Sequence, residues 1–293
     1  MKILSFDIEE WYIEKMFRGG EQWKYDAYDS MLGRLLDTLD AHGQRGTFFC
    51  LGALVEHFPD VVKRIAARGH EIGCHSLAHK WINKQTPAEF RDETMRAVSL
   101  LRDAIGQPVE SFRAPAFSIG ESNKWAFDIL DECGIRNDAS IFPGARDFGG
   151  FPSFPDGGKP CRVSHDGHVI NEFPITLGEL PLVGKKIAYS GGGYFRLLPL
   201  GFVKSTMRKS DYTMCYFHIA DLVDFKSKMM TAEEFERYFK QPGTLKNRLL
   251  RYAKSNVGRK RAFRGLDSLL GEFRFMTVAE AAAQSGAFRE ISV

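Results

Sequence analysis

Residues Thr47–His79 read TFFCLGALVEHFPDVVKRIAARGHEIGCHSLAH. The run opens on a strand-like segment, Thr47 to Leu51, passes through an amphipathic stretch, Leu54 to Arg68, and returns to an apolar segment, His70 to Cys74. A strand, a crossover helix and a second strand form the unit of a parallel sheet. The rhythm extends in both directions. Upstream are a strand at Lys2 to Ile8 and a helix at Tyr25 to His42. Downstream, Thr86-Pro87-Ala88-Glu89 carries the start signals of a helix that closes at Gly106. A strand at Val109 to Phe112, a helix at Ser122 to Cys133 and a short strand near Ile135 follow. From Phe142 to Gly193 the chain is rich in Gly and Pro and reads as long loops and irregular hairpins. Regularity returns with a strand at Tyr212 to His218 and a helix from Thr231. A basic helical region about 244–271, a strand at Phe273 to Met276 and a last helix at Val278 to Ser285 complete the chain. Strand count and spacing predict an α/β fold: an irregular or incomplete β/α barrel in one domain, 1–293, with a loop-rich insertion about 142–195.

At 293 residues and 44% hydrophobic composition the chain can bury a core of enzyme size. Its five cysteines are an odd number, and Cys50, Cys74 and Cys215 sit in or beside apolar runs, which predicts buried thiols in a reducing compartment. Asp7 interrupts the N-terminal apolar run before a signal region could form, and no segment reaches the ~18 apolar residues of a membrane span. A soluble cytoplasmic protein is expected. The net charge of +3 is unevenly spread: residues 1–150 hold 18 Lys+Arg against 23 Asp+Glu, and residues 151–293 hold 22 against 14. Eight cations, Lys246, Arg248, Arg251, Lys254, Arg259, Lys260, Arg261 and Arg264, occur with no intervening acid. Such a run reads as a solvated helix face or, more sharply, as a patch for peripheral contact with anionic lipid or for a phosphate-bearing substrate. No nucleic-acid reading module accompanies it.

In a β/α barrel, chemistry gathers at the C-terminal ends of the strands. Asp7 and Glu9 end the first predicted strand, His75 follows the third, Arg113 follows the fourth and His218 ends the strand from Tyr212. His75 and His79, four residues apart, meet on one side of a helical turn and can share a divalent metal, with Glu9 completing the set and a position left for water. Asp7 projects to the same side as Glu9 and can take a proton while the other acid holds metal; Glu10 is a weaker alternative ligand. Arg113 can pair with Asp7 and orient it. His218, across the site from Asp7, is a candidate general acid, tuned by Asp221 or Asp224. Trp11, Phe117 and Tyr194 are candidates to stack on a substrate.

Phe6-Asp7-Ile8-Glu9, His75-Ser76-Leu77-Ala78-His79, Arg113-Ala114-Pro115-Ala116-Phe117 and Tyr216-Phe217-His218, in that order, resemble the metal-dependent polysaccharide deacetylases of carbohydrate esterase family four, whose shared unit is the NodB homology domain. Within that family the chain is similar to the cytoplasmic branch linked to exopolysaccharide loci. The similarity lies in Ser118-Ile119, Trp125-Ala126, Ser140-Ile141-Phe142-Pro143, the Gly191–Pro199 segment and the closing Phe273-Arg274-Phe275. The resemblance implies a distorted seven-stranded β/α barrel, a divalent metal of the zinc kind, and removal of an acetyl group from an N-acetylated sugar; the expected cytoplasmic location and the basic C-terminal region favour a glycan precursor, lipid- or phosphate-linked, over a finished polymer. By motif position it implies Asp7 as general base, Glu9, His75 and His79 as metal ligands, Arg113 as the partner of the base and His218 as general acid. A backbone N–H just after Pro115, from Ala116 or Phe117, would stabilise the oxyanion. Two departures stand out. Ile8 separates Asp7 from Glu9 where many members have adjacent aspartates, and Ile-Ala-Asp follows His218 where the branch commonly has Pro-Trp-Glu. The competing readings are a deformylase or amidohydrolase acting on a lipid- or nucleotide-linked sugar or a small cyclic amide, and a non-catalytic carbohydrate-binding relic of the fold.

Overall fold

Strand β1 (Lys2–Ile8) is buried along almost its whole length, which suits a central parallel strand covered on both faces. The computed structural model describes every residue except 147–148, 156–157, 181–183, 185, 227, 240, 285 and 287. After β1 come α1 (Glu10–Phe17), α2 (Gln22–Ala41), β2 (Thr47–Cys50), α3 (Gly52–His57), α4 (Pro59–Ala67) and β3 (Glu71–Cys74). Next are α5 (Pro87–Ile105), β4 (Ser111–Phe112), α6 (Trp125–Glu132), β5 (Asn137–Asp138), β6 (Cys161–His165) and β7 (His168–Glu172). The last part holds β8 (Gly178–Glu179), β9 (Lys186–Ile187), α7 (Gly192–Leu197), α8 (Leu200–Lys209), β10 (Thr213–His218), α9 (Ile219–Leu222), α10 (Ala232–Phe239), α11 (Leu245–Asn256), α12 (Arg259–Leu270), α13 (Val278–Ala282) and β11 (Arg289–Ser292).

The main sheet runs β10-β1-β2-β3-β4-β5-β7-β6-β11. The seven strands from β10 to β7 are mutually parallel, and β6 turns antiparallel to β7. This is the mixed α/β architecture expected, but among the described residues no ladder joins β10 to β7, and the sheet is open. An irregular segment spans that gap. Ser190 Oγ donates to the Met214 carbonyl at 2.8 Å, Met214 N donates to Thr176 Oγ1 at 2.8 Å, and Tyr212 OH donates to the Pro174 carbonyl at 2.7 Å. Gly191 pairs with Tyr216 so closely that a Cβ there would lie 2.1 Å from the Tyr216 carbonyl oxygen. Part of the predicted loop-rich insertion therefore fills the seam of the sheet.

Register sorts the side chains. Asp7 is the Cα partner of both His218 on β10 and Phe49 on β2, and Ile3 and Ser5 partner Met214 and Tyr216. Successive strand residues face opposite ways, so these residues share the inner face. With Phe117, Phe142, Phe173 and Tyr212, the apolar ones form an inner core cluster. Leu4, Phe6, Ile8, Phe48, Cys50 and Cys74 face outward into the larger core under the helices.

The local signals explain the elements, and four predictions need correction. The Thr86/Glu89 capping box forms and Gly106 closes α5 at φ 69°, as read. The single helix predicted for Leu54 to Arg68 is two, because Pro59 forces Phe58 out of helical conformation, to φ −143°. The predicted strand Phe273 to Met276 is reduced to one bridge between Met276 and Ile3. The last helix ends at Ala282, and Ser285 lies outside the described residues. His75 to His79 is not a helical turn. It is a loop with Ser76 at φ 68° and His79 at φ 60°, tied to α3 by Gly52 N to the Ser76 carbonyl and Ala53 N to the Leu77 carbonyl, both at 2.9 Å. No described helix is long and apolar enough to cross a membrane.

Candidate active site

β1 ends at Ile8, and Glu9 turns the chain into α1 with φ −136°. β3 ends at Cys74 and hands over to the loop carrying His75 and His79, whose backbone N–H donates to Ser76 Oγ at 3.1 Å. The two elements bring Glu9 Oε2 to 2.7 Å from His79 Nε2 and 3.6 Å from His75 Nε2. His75 Nδ1 lies 2.7 Å from the Arg113 carbonyl oxygen, which can only accept, so Nδ1 carries a proton and Nε2 is the ring nitrogen turned toward Glu9.

The donor set fits a divalent metal ion. Glu9 Oε2 is buried without a hydrogen-bond donor, and it faces two imidazole nitrogens whose ligand atoms all lie within 4.8 Å of one another. Two nitrogens and one carboxylate oxygen are the kind of set that borderline cations accept. Burial alone would raise the Glu9 pKa, but the neighbouring imidazoles of His79, His75 and His218 hold it well below the usual carboxylate range. Asp128, His165 and Asp166 also cluster, yet there both Asp128 oxygens already take His165 Nδ1, at 2.8 and 2.9 Å.

Arg113 is fully buried and occupies the centre of the inner face. Its Nη1 donates to Asp7 Oδ1 at 2.8 Å and to Ser5 Oγ at 2.9 Å, and its Nε donates to the Ala139 carbonyl at 3.1 Å. Its guanidinium lies 4.3 Å from the centroid of the Phe49 ring. That ring needs Gly73 beneath it, since a Cβ there would come within 2.5 Å.

His218 lies beside Asp7 on the neighbouring strand rather than across the site. Its Nε2 is 3.9 Å from Asp7 Oδ2 and 3.9 Å from Glu9 Oε1. Its Nδ1 bonds Asp221 Oδ2 at 3.1 Å, so Asp221, not the exposed Asp224, is the partner. Burial works against the charged imidazole, but the Asp221 bond and the charges of Glu9, Asp221 and Asp7 raise its pKa to about 10. Asp221 is itself paired with Arg196 Nε on α7 at 3.1 Å. Glu10 is not part of the Glu9–His75–His79 cluster: its Oε1 accepts from Ala220 N at 2.7 Å, and burial pushes its pKa up to about 7.

The aromatic candidates divide. Trp11 is buried against Tyr28, with ring centroids 5.6 Å apart, and cannot reach a ligand. Phe117 is buried edge-on to Tyr216, and its amide already donates to the Ala114 carbonyl at 3.1 Å. This removes its ring as a stacking platform and its N–H as an oxyanion donor. Ala116, at φ 56°, remains half-buried on the turn, and Tyr194 is exposed.

Sequence reasoning missed Tyr238 and Arg18. The Tyr238 ring lies parallel to His79 at 6.3 Å, and Arg18 sits 5.9 Å over the same ring. Neither residue stands in a recognisable motif, and only the packing of α10 on α1 brings them in. Trp81, two residues beyond His79, and Phe239, next to Tyr238, help line a cleft of about 470 Å³, within the range of ligand pockets, with Asn83, Ser118, Arg146 and Gln241 also in its wall.

Residues 25–137 match the polysaccharide deacetylase family model, and residues 139–283 match a domain of unknown function, DUF3473. The first match contains His75, His79 and Arg113, and the second contains His218. The chain is 37% identical to a peptidoglycan-N-acetylglucosamine deacetylase of Bacillus cereus over 38% of its own length and 48% of that protein's. It is 31% identical to a chitooligosaccharide deacetylase of Bradyrhizobium sp. over 33% of its length and 42% of that protein's. The matched region thus spans less than half of each of these curated relatives. Among solved structures, a Mycobacterium smegmatis protein described as a polysaccharide deacetylase superposes with a TM-score of 0.64, covering 98% of this chain and 90% of that one at 15% identity. A 4-alpha-glucanotransferase from Thermococcus litoralis superposes at 0.61 over 41% of its own chain at 12% identity, a likeness of fold alone. With the site residues set at strand ends of this open α/β sheet, residues 25–137 belong to the polysaccharide deacetylase family and residues 139–283 to DUF3473.

Proposed function

We propose that this protein is a metal-dependent hydrolase that removes the N-acetyl group of an N-acetylated sugar, in a polysaccharide or a glycan precursor. One observation carries the reading: Glu9 Oε2 is buried, lacks a donor, and faces the Nε2 atoms of His75 and His79. Glu9, His75 and His79 would hold the metal, zinc being the best match to the donor set. When bound, the metal supplies Lewis-acid polarisation of the acetyl carbonyl and lowers the pKa of water.

The chain's own residues do the rest. Asp7, oriented by Arg113, accepts a proton from the attacking water as the new C–O bond forms. The Ala116 N–H donates to the developing oxyanion. His218, protonated and held through Nδ1 by Asp221, delivers its Nε2 proton to the amide nitrogen as the C–N bond breaks. The products are acetate and the free amino sugar. The cleft with Arg146 and Gln241 in its wall offers polar groups that suit sugar hydroxyls.

Purified protein with zinc restored, incubated with N-acetylated chito-oligosaccharides and with lipid- or nucleotide-linked N-acetylhexosamines, tests the reading. A product lighter by one ketene unit supports deacetylation. Loss of carbon monoxide from a formylated analogue alone, or no turnover with the metal bound, rejects it.

A further inference from the structure

Helix α11 is folded with its apolar side outward. None of its residues is buried, and Leu245, Leu249 and Leu250 are 57%, 48% and 50% exposed, with Val257 just beyond at 47%. Its partly buried positions are polar for the most part: Asn247, Arg248, Tyr252, Ser255 and Asn256. Arg248 donates to the Met230 carbonyl at 3.3 Å, and the carbonyls of Lys254 and Ser255 accept from Arg196 at 2.8 and 2.9 Å. The helix is therefore anchored through polar contacts, while the leucines that ordinarily face a core point to solvent.

Charge identifies what covers it. Lys246 and Lys254 are exposed among the leucines, and from Arg237 to Leu266 the sequence contains no acid. A second copy of this helix would set cations against cations. An anionic bilayer surface supplies both an apolar layer and negative charge.

We propose that α11 docks on anionic phospholipid, lying in the plane of the interface with Leu245, Leu249 and Leu250 at the acyl boundary and Lys246 and Lys254 among the headgroup phosphates. Docking places the candidate active site close to the membrane. Arg251 sits 4.7 Å over Phe239, whose neighbour Tyr238 stacks on His79. A membrane-bound substrate would then meet the site without leaving the lipid surface.

Co-sedimentation of the full chain with vesicles tests this, comparing phosphatidylcholine alone with a phosphatidylcholine–phosphatidylglycerol mixture. Binding to the mixed vesicles only, weakening with added salt, is expected. Each cation removed, as in Lys246→Gln and Lys254→Gln, should weaken binding about fivefold. The pair Leu249→Gln and Leu250→Gln should abolish binding while leaving the thermal midpoint and turnover of a soluble substrate unchanged. His79→Ala should bind vesicles as the parent does, which separates this proposal from the chemistry above. Equal binding to both vesicle types, no binding to either, binding that ignores these substitutions, or a dimer that Leu249→Gln dissociates would each overturn it.

Discussion

Arg113 and His75 are joined by a 2.7 Å hydrogen bond from His75 Nδ1 to the Arg113 carbonyl, while the Arg113 side chain holds Asp7 at 2.8 Å. One residue thus sets the tautomer of a candidate ligand with its backbone and the orientation of the candidate base with its guanidinium. The two functions can be separated by mutation, because a side-chain change leaves the carbonyl in place.

Arg113→Met should retain the metal and lose turnover. Asp7 would be left buried beside an apolar side chain, and breaking such a pair costs roughly 3–5 kcal/mol. Urea unfolding of the metal-loaded variant reads the cost. A variant as stable as the parent would show that the Asp7–Arg113 pair has another partner for its charge.

Asp7→Asn and His79→Ala divide the site differently. The first should keep the metal and reduce turnover by about 10²- to 10⁴-fold, the usual contribution of a general base. The second should lose both. Glu9→Gln should weaken metal affinity by more than the roughly 10–100-fold that loss of an outer hydrogen-bond partner costs. Elemental analysis alongside kinetics decides, and equal metal loss in Asp7→Asn and His79→Ala would refute the roles assigned to them.

Asp221→Asn should move the alkaline limb of the kcat/KM profile to lower pH. The imidazole's pKa, raised to about 10, depends chiefly on the Asp221 bond against the opposing effect of burial, and the proposed acid must be protonated to act. In the metal-free protein the same pair contributes stability that is complete below about 6.5 and fades as pH rises through about 10. Asp221→Asn should therefore melt earlier than the parent at pH 6, with the difference narrowing at alkaline pH. A gap independent of pH would assign Asp221 a purely packing role.

Asp138 and Glu172, register partners on β5 and β7, form a buried acid pair away from the chemistry proposed. Burial raises the pKa of Asp138 to about 6, and burial with the Asp138 charge raises that of Glu172 well above the usual range. Raised carboxyl pKa values mean that the folded state binds more protons than the unfolded one, so stability falls as pH rises above the ordinary carboxylate range. Glu172→Gln keeps the acceptor for Ile141 N and removes one ionisation, and it should raise the melting temperature at pH 8 but not at pH 5. A lower midpoint at pH 8 would contradict the raised pKa values of this pair.

Much of the candidate site was legible because its residues end strands whose periodicity is plain. Asp7, His75, Arg113 and His218 each terminate or follow an apolar run, and parallel pairing then sets Asp7 beside His218 and Phe49 without further information. What failed was local conformation outside repeating structure. The spacing of His75 and His79 suggested a helix, but left-handed Ser76 and His79 bring the rings to 5.5 Å by a route that periodicity cannot encode. Trp11 looked available because α1 was not foreseen, and that helix turns the indole into the core. Tyr238 reaches His79 only through contacts between elements distant in sequence.

Asp7 and His218 face each other on strands drawn from opposite ends of the chain, and β1 has six register partners on β10. The first strand therefore presents a bare hydrogen-bonding edge until the last third of the chain has been made, an order that favours slow, long-range closure. A chain truncated before β10 would retain every candidate metal ligand. It would also carry an exposed strand edge, the feature most prone to pairing with the wrong neighbour.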